Sequence, residues 1–504
     1  MMIYAKVDHG IVRDGRACES SWSAPGEAQG SDKPEWGTVN ESRARIVIIG
    51  GGPGGYEAAL VAAQLGADVT VVDSDGLGGA CVLTDCVPSK TLIATSGMMA
   101  ALDGAPALGI RPDSGSGGTA LATVDAPRLY SRVRNLASAQ SADVAARLAA
   151  EGVEIRPGPG RLIGPHTVAA GDTELDADIV LVATGAKPRE LPGAVPDGER
   201  LLTCRQLYDL GELPTELIVV GSGVTGAEFA SAYQALGSQV TLVSSRDRVL
   251  PQQDADAAMV VEGVFRRRGM TVLSRSRAVS ACRTGDGVTV TLKDGETVRG
   301  SHCLLTVGMV PNTGGLGLEA AGIALDRGGF IPVDRVSRTS AANVYAAGDC
   351  TGVMMLASVA AMQGRIAMWH ALGEAVQPLR LSHVAMTVFT EPEIAMVGVS
   401  QQAVGSGQAD ALVVKLPLAT NARAKMQGFR DGFVKLFARR SSGIVLGGVV
   451  VAPWASELIL GVSLAVEQHL TVDEIAHTFA VYPSLSGSVT EAARQLMQPA
   501  AEDD

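Results

Sequence analysis

Two glycine-rich turns, each between a short apolar strand and a helix, constrain the fold of this chain more than any other feature. The pattern G-x-G-x-x-G occurs in both, at Gly50, Gly52 and Gly55 and again at Gly221, Gly223 and Gly226. Glycine there allows a tight turn, close approach of the backbone to a pyrophosphate, and close packing of the following helix. The turns are too far apart to be neighbouring units of one parallel sheet, so they predict two dinucleotide-binding domains.

The strand that follows each turn ends differently in the two units. Asp73 ends "DVTVVD", where a carboxylate can accept a hydrogen bond from a ribose hydroxyl. The matching position of the second unit is Ser244, followed by Ser245 and Arg246. Hydroxyls and a guanidinium in place of the acid suit a 2'-phosphate, so the second site is expected to accept NADPH. The alternative is that Arg246 and Arg248 are ordinary solvated charges.

Length and composition fit a globular protein of about three domains. The chain has 504 residues, of which 46% are hydrophobic and 19% charged. Its formal net charge is -12 and it has no basic block, which argues against binding to nucleic acid or to an anionic membrane. Seven scattered cysteines do not fit a disulfide-stapled secreted scaffold, so we expect a cytoplasmic protein, and no segment is continuously apolar over a membrane-spanning length.

The pattern along the chain predicts the order of its parts. Residues 1–43 mix charges with Gly, Ser and Pro and are expected to form a disordered extension. The Gly- and Ser-rich segment 112–120 is expected to be a surface loop. From about residue 380 the pattern changes to the alternating strands and helices of an α+β domain. The predicted fold class is α/β, with two Rossmann-like domains followed by a C-terminal α+β domain.

A cysteine pair follows the first βαβ unit in the segment "GGACVLTDCVPSK". Cys81 and Cys86 are five residues apart, a rise of about 7.5 Å on a regular helix. That exceeds the Cα separation of about 4.4 to 6.8 Å that a disulfide permits, so a bond needs a distorted turn. Lys90 follows Cys86 by four residues and could lower the pKa of a thiolate on the same helix face. The alternative is two buried structural thiols.

Nine segments follow one another in an order known from one flavoprotein family. They are "GGGPGGYEAA", C-x4-C-x-P-S-K, "VATGAKP", "GSGVTGAEFA", "VGMVPNT", "VYAAGDCTG", "VFTEPEIAMVG", "NARA" and "ASELI". On these segments, residues from about 44 to 498 resemble the FAD-dependent pyridine nucleotide-disulfide oxidoreductases, such as dihydrolipoamide dehydrogenase. The resemblance implies an FAD domain at 44–190 and 305–378, an NAD(P)H domain at 191–304, and a C-terminal interface domain at 379–498 that forms a homodimer.

The resemblance also implies roles for individual residues. Besides the first glycine turn, the FAD site would comprise Asp73, Lys90, Thr184, Gly185, Asp349 and Ala357. Asp349 would hold the ribityl chain, and Thr184 and Gly185 would lie on the adenosine side. Lys90 would pair with Glu228 near the flavin N5; the alternative for Glu228 is a carboxylate on a helix surface.

One departure from the family pattern bears on the reaction. Disulfide reductases of the family end with a His-Pro whose histidine exchanges protons with the dithiol, supported by a glutamate five residues later. This chain has Tyr482 at the histidine position and Gly487 at the glutamate position. A phenol with a pKa near 10 is a poor base at neutral pH, so dithiol exchange should be strongly impaired. His477 lies nearby in sequence but is expected on a helix surface.

The predicted function follows from the family segments that the chain has and from the histidine and glutamate that it lacks. The chain resembles the branch of the family that lacks the base and reduces quinones with NADPH or NADH through FAD. The implied catalytic residues are Cys81, Cys86, Lys90, Glu228 and Tyr482. One alternative is a disulfide reductase, such as dihydrolipoamide dehydrogenase, that uses Cys81 and Cys86. Another is a flavoprotein that serves as a binding or assembly component without turnover.

Overall fold

The structure is a computed structural model that describes residues 43–110 and 122–497. The predictions for the extension before Arg43 and for the loop at 112–120 lie outside these residues. The strands, numbered in chain order, are β1 Arg45–Ile49, β2 Asp68–Asp73, β3 Glu154–Pro157, β4 Gly160–Gly164, β5 Thr167–Ala170, β6 Thr173–Asp176, β7 Ile179–Val182, β8 Ala186–Pro188, β9 Leu201–Leu202, β10 Glu216–Val220, β11 Gln239–Val243, β12 Thr271–Leu273, β13 Ala278–Thr284, β14 Gly287–Leu292, β15 Thr297–Gly300, β16 His302–Leu305, β17 Met309–Pro311, β18 Val344–Ala346, β19 Met386–Val388, β20 Glu393–Gly398, β21 Ala411–Pro417, β22 Phe433–Arg439 and β23 Val445–Ala452. The helices are α1 Pro53–Gln64, α2 Gly79–Leu83, α3 Cys86–Gly104, α4 Ala126–Ala150, α5 Val224–Ala235, α6 Ala255–Arg267, α7 Ala357–Ala371, α8 Gln401–Gly405, α9 Ala422–Met426, α10 Ala455–Glu467, α11 Val472–His477 and α12 Gly487–Leu496.

The first sheet is parallel, with strand order β18-β7-β1-β2-β3. Its central strand β1 is buried on both faces, which explains its continuous apolar run. Ile46 and Ile48 pack towards α1 and α7, whereas Val47 and Ile49 pack towards the small antiparallel sheet β4-β5-β6. Strand β18 belongs to this sheet, but it follows the whole second sheet in the sequence. The first domain is therefore discontinuous in sequence.

The second sheet is also parallel, with strand order β12-β11-β10-β16-β9, and α5 connects β10 to β11. Its segment of the chain lies between β8 and β17, which pair with each other. The prediction of two Rossmann-like domains is therefore confirmed. The exact domain limits stay predictions, and β16 extends to Leu305, one residue beyond the expected end of the second domain.

The third sheet is antiparallel, with strand order β19-β20-β23-β22-β21. Helices α10, α11 and α12 pack on it around a separate apolar core. The predicted C-terminal α+β domain is therefore confirmed as part of the fold, whereas its start near residue 380 stays a prediction. Within the described ranges, no helix is both long enough and apolar enough to cross a membrane.

Candidate active site

The first glycine turn lies at the carboxyl end of β1 and leads into α1. Gly50 has a φ of +106°, which favours glycine, and a Cβ on Gly55 would lie 1.9 Å from the carbonyl oxygen of Gly50. Gly55 therefore serves the close packing of α1 on the turn. At Gly52 a Cβ would meet no atom within 4 Å and would project into open space. The positive amino end of α1 can thus approach a phosphate directly.

A cavity of about 540 Å³ opens in front of this turn, and we call it the main cavity. Nine of the residues singled out from the sequence line it: Gly50, Gly52, Asp73, Cys81, Cys86, Thr184, Gly185, Asp349 and Ala357. They come from segments that are far apart in the chain and meet at the carboxyl edge of the first sheet. This edge is where open α/β sheets bind their ligands.

Asp73 is held rigidly at the rim of the main cavity. Its Oδ2 accepts a hydrogen bond from the Gly51 amide at 2.6 Å. Its Oδ1 accepts hydrogen bonds from the amides of Asp75 at 3.0 Å and Gly76 at 2.5 Å. The carboxylate therefore links the first glycine turn to the end of β2, and its remaining lone pairs suit a ribose hydroxyl.

The opposite wall of the main cavity contains a residue that the sequence reasoning did not single out. The Thr184 hydroxyl donates to the Asn312 carbonyl at 2.7 Å, and the Asn312 amide Nδ2 donates to the Thr184 carbonyl at 3.0 Å. Asn312 lies within the family segment "VGMVPNT", and this motif is the sequence signal that could have identified it as a site residue. This reciprocal pair joins the chain entering the second domain to the chain leaving it.

Asp349 is a partly buried carboxylate on the inner wall of the main cavity. No described residue donates a hydrogen bond to its side chain, and its burial, with a smaller contribution from Asp85, raises its pKa to about 6. The turn that carries it is fixed because the Gly348 amide donates to Gln363 Oε1 at 2.9 Å. A partly buried carboxylate without a protein partner fits a ligand that brings hydroxyl donors, such as a ribityl chain.

The cysteine pair lies at a break between two helices. Cys81 belongs to α2 and Cys86 begins α3, with Thr84 and Asp85 between the helices. The interruption places the two free thiols together on the wall of the main cavity. Their mutual interaction, together with burial, raises the pKa of Cys81, while the same interaction lowers the pKa of Cys86. Cys86 is therefore the thiol that ionises first.

Lys90 and Glu228 form an ion pair behind the cysteines. Lys90 Nζ on α3 lies 2.9 Å from Glu228 Oε2 on α5, and the Glu228 residue is only 4% exposed. The Phe389 amide donates to Glu228 Oε1 at 2.9 Å, and Lys90 Nζ lies 4.8 Å from the centre of the Phe389 ring. Burial acts to lower the pKa of Lys90, but the charges of Glu228 and Cys86 outweigh it and the pKa is raised. The structure thus brings these two predicted residues together, and their roles towards a flavin stay predictions.

The second glycine turn repeats the geometry of the first. Gly221 has a φ of +113°, and a Cβ on Gly226 would lie 1.9 Å from the Gly221 carbonyl oxygen. A Cβ on Gly223 would meet nothing within 4 Å. Both sheets therefore present a helix amino end, of α1 and of α5, behind an open glycine.

The structure places Ser244 in the interior. This residue is fully buried, and its hydroxyl lies 2.6 Å from the Ser222 hydroxyl in the glycine turn. It also contacts the Arg246 backbone carbonyl at 3.2 Å. Ser244 therefore braces the turn, and its contact with a nucleotide stays a prediction. Ser245 and Arg246 are exposed beside it, and their contact with a nucleotide stays a prediction.

Tyr482 and Gly487 lie away from the main cavity of this chain. Tyr482 is 85% exposed, in a segment where Phe479 and Val481 are also exposed, and Gly487 begins α12. His477 ends α11 as an exposed residue, and its Nδ1 lies 2.8 Å from the Asp473 carbonyl oxygen, as expected for a helix-surface position. Three neighbouring exposed apolar side chains indicate a surface that another protein chain covers.

The chain has two dinucleotide-binding folds and, on the main cavity, a cysteine pair. Together these features define a nucleotide-dependent oxidoreductase. Residues 44–364 match the family described as pyridine nucleotide-disulphide oxidoreductase, and residues 384–493 match its dimerisation domain. The chain belongs to this family, whose members use a flavin and a nicotinamide nucleotide.

Individual relatives show the same relationship. The chain is 59% identical to an NAD(P)H dehydrogenase (quinone) of Mycobacterium tuberculosis over 474 residues, 91% of this chain and 94% of the relative. It is 33% identical to a dihydrolipoyl dehydrogenase of Zymomonas mobilis over 460 residues, 89% of this chain and 96% of the relative. The crystal structure of LpdA from Mycobacterium tuberculosis matches with a TM-score of 0.85 and 58% identity, covering 90% of this chain and all of that one.

Proposed function

We propose that this protein is an NAD(P)H:quinone reductase that contains FAD and acts as a homodimer. The observation that carries the proposal is the combination of an intact Lys90–Glu228 pair at 2.9 Å with Tyr482 at the position of the family's acid-base histidine. The first feature belongs to the half of the reaction in which hydride leaves the nicotinamide. The second belongs to the half in which a disulfide is reduced.

FAD fits the main cavity on three independent grounds. Gly52 leaves room for a pyrophosphate at the amino end of α1, Asp73 is oriented for a ribose, and Asp349 is a partly buried carboxylate to which no described residue donates a hydrogen bond. When bound, the flavin would accept hydride from the nicotinamide and supply electrons to the acceptor. Thr184, Gly185 and Ala357 would line the rest of the site.

The protein's own groups prepare the site for charge transfer. Glu228 fixes the Lys90 ammonium, because its second oxygen is held by the Phe389 amide. A fixed ammonium close to Cys86, which lines the main cavity, stabilises negative charge there without reorganisation during the reaction. The Cys86 thiol, whose pKa is lowered, lies on the same cavity.

The nicotinamide nucleotide would bind at the second glycine turn. The exposed Ser245 and Arg246 carry no negative charge that would repel a 2'-phosphate. NADPH should therefore be a substrate, alongside NADH. The proposal places the specificity in Arg246 and not in Ser244, since the Ser244 hydroxyl is engaged by Ser222.

The relative from Mycobacterium tuberculosis is an NAD(P)H dehydrogenase (quinone), which supports a quinone as the acceptor. Quinone reduction does not need a base for a dithiol, so the replacement of histidine by Tyr482 leaves it unaffected. The dimerisation domain and the exposed apolar segment at Phe479 and Val481 support a homodimer. The scattered cysteines support a reducing compartment such as the cytoplasm.

A second candidate, dihydrolipoamide dehydrogenase, has one observation in its favour. Cys81 and Cys86 lie together on the main cavity and interact with each other, as a redox dithiol requires. Relatives at 33% identity also carry that name. Without the histidine, however, the exchange with an external disulfide should be slower by about 10² to 10⁴.

The test is steady-state oxidation of NADPH by the purified holoenzyme with menadione, benzoquinone, lipoamide or glutathione disulfide. Turnover with the two quinones should exceed turnover with the two disulfides by at least about 10². Equal turnover with lipoamide and menadione would favour the second candidate. Activity with none of the four would support a binding or assembly role.

A further inference from the structure

A second cavity, of about 350 Å³, lies against α7 and is not used by the function described above. Its volume falls in the range of about 300–1,000 Å³ that is usual for small-molecule sites. The walls are mainly apolar and include Val359, Met362, Ile366, Leu379 and Val384. We call it the α7 cavity. Such walls suit a flat apolar ring.

Helix α7 separates the two cavities. Ala357 and Ala360 line the main cavity, whereas Ser358, Met362 and Ile366 line the α7 cavity. With 3.6 residues per turn, positions 358, 362 and 366 form one stripe on the face opposite 357 and 360. A ligand in the α7 cavity would therefore be about one helix diameter, 10–12 Å, from a ligand in the main cavity.

The α7 cavity contains a histidine paired with a carboxylate. Nδ1 of His383 lies 2.6 Å from Oε2 of Glu467, and both residues line the cavity. The His383 side chain is 17% exposed and that of Glu467 is 47% exposed. A carboxylate on one ring nitrogen orients an imidazole and leaves the other ring nitrogen to face a ligand. No described residue is hydrogen-bonded to the other ring nitrogen, Nε2.

We propose that the α7 cavity binds the quinone acceptor and that His383 protonates it, an inference that rests on the proposed function. The apolar walls would hold the ring, and His383 and Arg380, which also lines the cavity, would donate hydrogen bonds to its carbonyl oxygens. The protein has Tyr482 and Gly487 at the positions of the family's histidine and glutamate. In this proposal a different histidine and glutamate, His383 and Glu467, lie beside the acceptor.

The reaction balances with NAD(P)H as the only reductant. Because α7 lies between the cavities, the electrons must cross the helix one at a time and not as a hydride. The two electrons and the proton of the nicotinamide hydride are released on the main-cavity side, and the quinone takes up two electrons and two protons. One solvent proton is consumed overall, and NAD(P)+ and hydroquinone are formed. The partly exposed Glu467 provides the route by which solvent protonates His383 again.

The test uses the holoenzyme with two variants of the cavity and one matched control. Met362→Trp fills the cavity from a position that is 38% exposed, and His383→Gln removes the acid while keeping a hydrogen-bond donor. Met259→Trp on α6, at a position 59% exposed, is the control. Binding of menadione to the oxidised protein is measured by equilibrium dialysis. Turnover with menadione is compared with turnover with ferricyanide, which takes electrons without protons.

Met362→Trp should weaken menadione binding at least about tenfold, or about 1.4 kcal/mol, and Met259→Trp should not. His383→Gln should lower the ratio of menadione to ferricyanide turnover by about 10² or more. Unchanged menadione binding in Met362→Trp would overturn the inference, as would an unchanged ratio in His383→Gln. Absence of quinone turnover in the unsubstituted enzyme would instead contradict the proposed function. In that case the dialysis measurement would still show whether menadione binds in the α7 cavity.

Discussion

The Lys90 ammonium and the Glu228 carboxylate join the first dinucleotide-binding domain to the second across a distance of 2.9 Å. Glu228 is almost completely buried on α5, and its other oxygen accepts the Phe389 amide from the C-terminal domain. One side chain therefore connects all three domains directly behind the main cavity. The pair fixes the relative position of the two nucleotide sites as well as the charge at the site.

Removal of the cation should destabilise the protein. Lys90→Met leaves the Glu228 carboxylate buried without its partner, and we expect a loss of about 1–3 kcal/mol in the free energy of unfolding. Urea unfolding of the holoenzyme measures it. Lys293→Met, on an exposed loop where the lysine makes no ion pair with a described residue, should change stability by less than about 0.5 kcal/mol. Equal effects of the two substitutions would show that the pair contributes nothing.

The charge of Asp85 should control the reactivity of the cysteine pair. Asp85 precedes Cys86 directly, and its carboxylate raises the pKa of that thiol. In Asp85→Asn the pKa of Cys86 should therefore fall. The rate of alkylation by iodoacetamide as a function of pH, with the modified cysteine identified by mass spectrometry, measures the shift. Asp103→Asn, at an exposed position on α3, is the control, and a rise in the pKa of Cys86 would contradict the assignment.

Asp349 should make the cofactor-free protein less stable as the pH rises. Its folded-state pKa of about 6 lies above the usual 3.8, so the folded state disfavours the charged form. The free energy of unfolding decreases as the pH rises from about 4 to 6. Above pH 6 the decrease is complete and amounts to roughly 3 kcal/mol. Cofactor-free Asp349→Asn should therefore be more stable than the unsubstituted protein at pH 8, and no more stable at pH 4. Urea unfolding at both values tests this, with the exposed Asp172→Asn as control.

Arg246 should set the preference between the two nicotinamide nucleotides. Arg246→Glu places a negative charge beside the expected 2'-phosphate, so the KM for NADPH should rise about tenfold more than the KM for NADH. Arg299→Glu, on the exposed hairpin of the same domain, should affect both nucleotides equally. An equal rise in both KM values for Arg246→Glu would show that this guanidinium is only solvated.

Much of the fold could be predicted because its signals are local. The glycine spacing at Gly50 and Gly221 reflects positive φ angles and helix packing within a few residues, and these constraints are visible in the sequence. The burial of β1 on both faces likewise follows from its continuous apolar run. The insertion of the second domain is implied only by the family resemblance, because β18 follows the whole second sheet in the sequence and no local pattern links it to β7.

The remaining features depend on contacts between distant segments. Ser244 is expected to contact a nucleotide, but it is fully buried and hydrogen-bonded to Ser222, a contact that the strand pattern does not reveal. His383 and Glu467 meet across 84 residues, and neither belongs to a recognisable motif. Sequence spacing predicts which face of an element a residue occupies, whereas such pairs depend on how the elements pack.

The central claim is that electrons reach quinones without passing through the cysteines. The most direct test is menadione turnover by the double variant Cys81→Ser, Cys86→Ser, with NADPH as the reductant and the flavin content measured on the same sample. We predict that the double variant retains most of the turnover of the unsubstituted enzyme per bound flavin, whereas any residual activity with lipoamide is abolished. Loss of menadione turnover in parallel with lipoamide turnover, at unchanged flavin content, would show that the cysteines carry the electrons and would contradict the account.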